Sequence, residues 1–191
     1  MSKKAMTFKE TPIDLQFKEA NARVIYHKYD NVWHNLTLVS FNEQRQVLST
    51  LDGLRKVRNV GNVYFPEPLS SRHMTMQKFE QVAKQLPKSL GLRCRDFIFL
   101  STAVNMEQLA VCEKVYGDFH VCCIATGGAL NNALRMGVDT GNWIEHRNHM
   151  TPAIGTINIL LLTNVTLSCG AMARAIMTAT EAKSVALQDL G

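Results

Sequence analysis

The chain has 191 residues, of which 46% are hydrophobic and 19% are charged. This length suits one domain, and the composition is that of a folded globular protein rather than a disordered chain. No apolar run approaches the roughly 18 residues that span a bilayer, which excludes a helical membrane protein. The formal net charge is +5. However, the basic residues are scattered apart from residues 55–58, and no RNA-binding motif accompanies them, so we expect no nucleic-acid partner.

The five cysteines favour reduced thiols over a disulfide framework or a metal motif. They are odd in number, include the neighbours Cys122 and Cys123, and lack CxxC spacing. No apolar segment follows the charged start at residues 1–7, as it would in a signal peptide. We therefore expect a cytoplasmic protein, with Cys122 and Cys123 in the core of a strand rather than acting as nucleophiles.

Short β-prone runs occupy the first third of the chain. Turn clusters separate them at Asp30 and Asn31, at Asn42 and Glu43, and at residues 51–53. This pattern predicts an antiparallel meander. Its strands are predicted at residues 22–29, 32–40, 46–51 and 59–65.

The remaining two thirds alternate between helical and strand patterns. Apolar residues at helical spacing predict a helix over residues 74–86 and the start of another over 106–111, with a buried strand at 97–101 between them. Further strands are predicted at 119–125 and 155–162, and helices at 129–136 and 168–190. We therefore predict an α+β fold, a single domain over residues 1–191 with an N-terminal antiparallel meander and a mixed sheet packed against helices.

The final helix carries a lysine within its apolar stripe. At about 100° per residue, Lys183 lies in the middle of that stripe, while Glu181 lies nearly opposite. Lys183 either extends past small residues to reach water, or enters a pocket and donates to a substrate or a carboxylate. For Glu181 the alternatives are a solvated helix face and a catalytic carboxylate. The other stripe residues are Met172, Ile176, Ala179, Ala186 and Leu190.

Thr126, Gly127 and Gly128 stand where a strand is predicted to give way to a helix. Glycines there let a ligand approach the backbone, and the N–H groups at a helix start favour an anion or the oxyanion of a hydrolysed amide. A tight structural turn is the alternative, since the spacing matches no phosphate loop. Asn131, in the first turn of that helix, is either a helix cap or a ligand contact.

Asn158 interrupts the apolar strand between Ile157 and Ile159. Asn is disfavoured in strands, so an inward-facing amide needs partners, and an amide-bearing ligand is one of them. A surface Asn that faces outward is the alternative. His146 and His149 match no zinc motif and have no obvious third ligand, so we expect no metal. Without a nucleophile-elbow pattern, a serine triad has no support.

Together these segments resemble the adenosylcobinamide amidohydrolase family of corrinoid salvage, over roughly residues 46–190. The resemblance implies hydrolysis of the amide that joins a corrin propionate to aminopropanol, giving adenosylcobyric acid. It also implies further chain after the last helix, rich in Gly and Thr. The pieces, in family order, are Val47-Leu48-Ser49-Thr50 with Gly53, Asn62-Val63, Leu100-Ser101-Thr102-Ala103, Ala125-Thr126-Gly127-Gly128 with Asn131-Asn132-Ala133, Gly155-Thr156-Ile157-Asn158-Ile159, and Thr180-Glu181-Ala182-Lys183.

The resemblance also suggests roles for the residues in these motifs. Lys183, Glu181 and Thr156 are expected to be catalytic, with Lys183 or Glu181 assisting proton transfer to the departing amine. Water is the expected attacking group, because no nucleophile–base pair is evident. The residues expected to bind substrate are Thr126, Gly127, Gly128, Asn131 and Asn158.

A small-molecule corrinoid is therefore the expected partner, as substrate, and no cofactor is identified. Homo-oligomerisation stays open. Two other functions also stay open: a corrinoid carrier or sensor without activity, and a hydrolase of another small amide.

Overall fold

The computed structural model describes residues 9–29, 32–65, 76–128 and 156–189. These ranges contain a five-stranded sheet, a three-stranded sheet and two α-helices, which confirms the α+β class. Neither helix is long and apolar enough to cross a membrane. The strands are β1 (Lys9–Ile13), β2 (Ala20–Tyr29), β3 (Val32–Ser49), β4 (Gly53–Tyr64), β5 (Phe97–Thr102), β6 (Ala110–Tyr116), β7 (Phe119–Gly127) and β8 (Ile157–Thr163), and the helices are α1 (Met76–Ser89) and α2 (Cys169–Asp189).

The larger sheet has the order β1-β2-β3-β4-β5. The pairings from β1 to β4 are antiparallel, which confirms the predicted meander. The pairing of β4 with β5 is parallel, so this sheet is mixed. The chain crosses over between these two strands through α1, as a parallel pair requires. Strand β1 was not predicted because it is polar and contains Pro12, a residue that an edge strand tolerates.

The turn predicted at Asn42 and Glu43 is wrong, because β3 continues through both residues to Ser49. The register with β4 shifts between Ser40 and Arg45, which marks a β-bulge or similar irregularity. The Asn42 side chain donates to the Lys18 carbonyl at 3.1 Å, so its polarity is satisfied within the strand. The bulge therefore accommodates polar residues that would otherwise indicate a chain reversal.

The helix predicted to start at residues 106–111 is also wrong. Met106–Gln108 form one 3-10 turn, in which the Asn105 side chain accepts from the Glu107 N–H. Strand β6 begins at Ala110, because pairing with β7 satisfies the backbone that a helix would otherwise have satisfied. The predicted turn at residues 51–53 is present, and Gly53 has a φ of 69°, which favours glycine.

The smaller sheet, with the antiparallel order β6-β7-β8, packs against one face of the larger sheet. Its inner face supplies Cys122, Ile124 and Leu162 to a core that includes Val39 and Ile98 of the larger sheet. The opposite face of the larger sheet packs against α1, through the residues Ile25, Leu36, Leu38, Val63, Val82 and Leu86. Side chains alternate between the two faces of each strand, so the five-stranded sheet forms the middle layer.

Candidate functional site

A cavity of about 680 Å³ lies beside β8, bordered by α2 and by strands of the larger sheet. Its volume falls within the roughly 300–1,000 Å³ typical of small-molecule sites. The wall is mostly apolar and includes Phe17, Phe41, Ile98, Leu160 and Ile176. Asn158 and Lys183, which belong to separate segments of the sequence, both line this cavity.

Asn158 lies on the inner face of β8 and is 8% exposed, so the inward-facing alternative holds. Its amide nitrogen donates to Asn62 Oδ1 at 2.8 Å and to the Ser101 carbonyl at 2.9 Å. The Asn62 amide nitrogen in turn donates to Thr126 Oγ1 at 2.8 Å. This chain of hydrogen bonds joins both sheets at the edge of the cavity.

Thr126 is 1% exposed and pairs with Asn158 across the ladder between β7 and β8. Strand β7 continues to Gly127, two residues beyond its predicted end at Ala125. Thr126 therefore lies within the strand and not in a turn. Its buried hydroxyl accepts a hydrogen bond from Asn62 and so belongs to the polar network.

The two glycines after Thr126 have different surroundings. The Gly128 N–H donates to the Thr156 carbonyl at 3.0 Å, so that N–H is not available to an oxyanion. A Cβ at Gly128 would lie 2.7 Å from Val104 Cγ2, whereas a Cβ at Gly127 would meet nothing within 4 Å. Close packing against Val104 explains why position 128 is a glycine. At Gly127 the space that a side chain would occupy is open. Thr156 is half-buried and directly precedes β8.

Lys183 is half-buried on α2 and lies on the helix face that lines the cavity with Met172 and Ala179. Within the described residues it makes no hydrogen bond or ion pair. Glu181 is exposed and is not among the residues that line the cavity. The predicted apolar stripe is present in part, since Ala186 is exposed.

Sequence reasoning missed the wall that β3 contributes and the partners of Asn158. Residues 45–50 line the cavity, and among them Arg45 lies 3.8 Å from Glu43. Asn62 and Ser101 fall in segments that carry the family resemblance, but neither was predicted as a site residue. The signal for Asn62 was similar to that for Asn158, an Asn within a β-prone run, although the run at 59–65 also contains Asn59.

A profile of the adenosylcobinamide amidohydrolase family matches residues 19–191. The chain belongs to this family. Over 163 residues it is 37% identical to an uncharacterized protein of Methanocaldococcus jannaschii. The aligned part covers 80% of this chain and 63% of that relative, so the chain spans less than two thirds of the relative's length. No solved structure matches the chain.

Ionisable groups on this family member's cavity wall are few. Among the described lining residues, Arg45 and Lys183 carry charge, and no carboxylate, imidazole or thiol is present. Cys122 is fully buried in the core, and burial, aided by the nearby charge of Glu113, raises the pKa of its thiol to about 11. A fully buried thiol with a raised pKa lacks both the thiolate form and the access that a nucleophile needs.

No metal cluster occurs among the described residues, which contain no group of three or more His, Cys, Asp or Glu side chains placed to hold an ion. Asn131, His146 and His149 lie outside the described residues, as do the turn predicted at Asp30 and Asn31 and the helix predicted at 129–136.

Proposed function

We propose that this chain hydrolyses the amide between the corrin ring and the aminopropanol of adenosylcobinamide, giving adenosylcobyric acid. The observation that carries the proposal is the cavity, whose mostly apolar wall includes both Asn158 and Lys183, each from a separate family motif. Apolar walls with a few placed polar groups are typical of small-molecule and cofactor sites, and a corrinoid is a ligand of that class.

In this reaction water attacks the amide carbonyl carbon and the C–N bond breaks. One product is a carboxylic acid and the other is aminopropanol, whose nitrogen takes the second proton of the water. Lys183 suits the support of this step, because its ammonium group has three N–H donors and a flexible stem. We assign it to stabilising the carbonyl oxygen or protonating the departing amine, since Glu181 lies away from the cavity wall.

The other predicted residues take binding or supporting roles in this proposal. Asn158 hydrogen-bonds a substrate amide, and Thr156 contributes its hydroxyl two residues earlier in the chain. The open space beside Gly127 lets the substrate approach the backbone. Thr126 acts through its contact with Asn62, and Gly128 lets the backbone pack closely against Val104. Asn131 stays a predicted substrate contact, as the cytoplasm stays the predicted location.

The experiment incubates the protein with adenosylcobinamide and follows adenosylcobyric acid and aminopropanol by mass spectrometry. We expect both products in equal amounts, with none in a heat-denatured control. Binding is measured in parallel by the change in the corrinoid absorption spectrum. If adenosylcobinamide binds and no acid appears over many hours, the hydrolase proposal is wrong.

A second function, corrinoid binding without hydrolysis, is favoured by one feature of the cavity. Its described wall contains no carboxylate, imidazole or thiol that could serve as a general base. A carrier or sensor would show the spectral change of binding without release of aminopropanol. The same pair of measurements therefore separates the two functions. If the protein hydrolysed a different small amide and left adenosylcobinamide intact, the third function, a hydrolase of another small amide, would be indicated.

A further inference from the structure

The hydrogen bonds of Asn158 determine which of its amide atoms can meet a ligand. Both hydrogens of its NH₂ group are engaged, one by Asn62 Oδ1 and one by the Ser101 carbonyl. Within the described residues, Asn158 Oδ1 has no hydrogen-bond partner. Since Asn158 lines the cavity, this oxygen is the atom that remains for a bound molecule.

This orientation follows from the network and is not an arbitrary choice between oxygen and nitrogen. The Ser101 carbonyl can only accept a hydrogen bond, so the group that faces it has to be the NH₂ of Asn158. Rotating the Asn158 amide by 180° would place its oxygen against that carbonyl. Asn62 adds a second acceptor on the same side and is itself held by Thr126 Oγ1 at 2.8 Å.

We propose that Asn62 is a positioning residue that holds Asn158 with Oδ1 toward the cavity, so that the site selects the N–H of the amide that is cleaved and rejects the carboxylate that hydrolysis leaves. This inference rests on the proposed function. An amide N–H can donate to Asn158 Oδ1. A carboxylate has no hydrogen to donate, and its oxygens would be repelled by Asn158 Oδ1. The burial of both asparagines makes the distinction sharper than it would be in water.

The selection has a consequence for the proposed reaction. Hydrolysis converts the amide of the substrate, which has an N–H, into a carboxylate, which is an acceptor only. The product therefore loses its hydrogen bond to Asn158 and gains a repulsive contact at the same place. A fixed acceptor at this position favours product release as well as substrate binding.

The test compares two probes that differ only in the reacting group, dicyano-cobyric acid and its primary amide. Their dissociation constants are measured by spectral titration on the full chain. We expect the wild-type protein to bind the amide at least about tenfold more tightly than the acid, a ratio that corresponds to one well-placed hydrogen bond. In Asn62→Ala, where the Asn158 amide loses one of its two acceptors, we expect this ratio to fall by about threefold or more.

Two further variants separate positioning from a structural effect. Asn62→Asp keeps an acceptor for Asn158, with the Thr126 hydroxyl turning to donate, and should restore most of the ratio. Asn59→Ala removes a comparably buried Asn from the same strand. The Asn59 amide donates to the Asp96 carbonyl and accepts from the Ser40 hydroxyl, and neither partner contacts Asn158. The ratio of acid to amide dissociation constants should therefore be unchanged in Asn59→Ala.

Equal binding of acid and amide by the wild-type protein would overturn the inference while leaving the hydrolase proposal standing. So would an equal loss of the ratio in Asn62→Ala and Asn59→Ala, because the effect would then be structural. If neither probe bound while adenosylcobinamide was still turned over, the inference would fail alone. If neither probe bound and adenosylcobinamide was not turned over either, the inference and the proposed function would fail together.

Discussion

Gly128 and Gly127 are adjacent residues for which the structure predicts opposite tolerance to a side chain. A Cβ at Gly128 would overlap Val104, whose branched side chain is buried and has little room to move. We expect Gly128→Ala to lower the free energy of unfolding by about 1–3 kcal/mol, the usual cost of overpacking. Gly127→Ala, with no atom within 4 Å, is the matched control.

Urea denaturation of the two variants measures this difference directly. Gly127→Ala should stay within about 0.5 kcal/mol of the wild-type protein, or be slightly more stable, because alanine restricts the unfolded chain. Similar urea midpoints for both variants would show that Val104 leaves room for a side chain at position 128.

For Asn158, the sequence predicted that the residue is unusual but not which way its side chain points. Its presence in a β-prone run marked it as unusual, because an amide in an apolar strand needs a partner. Its direction was not predictable, since apolar residues on both sides of it removed the alternation that assigns faces. Its partner Asn62 lies 96 residues earlier, and only the packing of two sheets brings them together.

At the scale of elements, α2 presents one cation, Lys183, to the cavity and a second, Arg174, to solvent. Lys183→Met keeps the length of the side chain and removes the ammonium group. We expect kcat/KM for adenosylcobinamide to fall by about 10²–10⁴-fold, the range for a positioned proton donor. Arg174→Gln removes an exposed cation from the same helix and should leave kcat/KM within twofold of wild type.

Steady-state assays of Glu181→Gln complete this comparison. If Glu181→Gln abolished turnover while Lys183→Met retained it, the roles assigned on α2 would have to be exchanged. A similar loss in Arg174→Gln and Lys183→Met would indicate that the net charge of the helix, and not its cavity face, matters.

The elements themselves were predictable where one β-prone run or one helical periodicity extended over the whole element. The strands β2, β5 and β8 and the helix α2 agree with prediction to within a few residues at each end. The failures occurred where polarity imitated a turn, as at Asn42, or where a short apolar run fitted two periods, as at Met106. Hydrogen bonds to distant backbone decided both cases, and a local pattern does not contain them.

For the whole molecule, a buried histidine couples stability to pH. His27 is 4% exposed and stacks on His34 with ring centroids 5.5 Å apart. Burial, and secondarily the charge of His34, lowers the pKa of His27 from 6.5 to about 4. The folded state therefore binds fewer protons than the unfolded state between these values, so stability is complete above pH 6.5 and falls as the pH drops toward 4.

We expect the wild-type protein to lose about 2 kcal/mol of unfolding free energy through His27 between pH 8 and pH 5. His27→Leu removes the titrating group. Its free energy of unfolding should therefore fall by about 2 kcal/mol less than that of the wild-type protein between pH 8 and pH 5. Urea denaturation at a series of pH values measures both slopes. Identical slopes would mean that His27 is not held neutral by the fold.

The overall architecture was predictable as a class but not as an arrangement. Alternating strands and helices indicated α+β, and the meander followed from closely spaced turns. The parallel pairing of β4 with β5 and the division into two sheets depend on contacts between distant segments. The cavity depends on the same contacts, because its walls come from β3, β5, β8 and α2 together.

The central claim is that water cleaves the corrinoid amide in this cavity, and turnover in ¹⁸O-labelled water tests it most directly. Attack of water on the carbonyl carbon predicts adenosylcobyric acid with one ¹⁸O in its new carboxyl group, and aminopropanol with none. Acid formed without the label, or no acid from adenosylcobinamide that is demonstrably bound, would contradict the account.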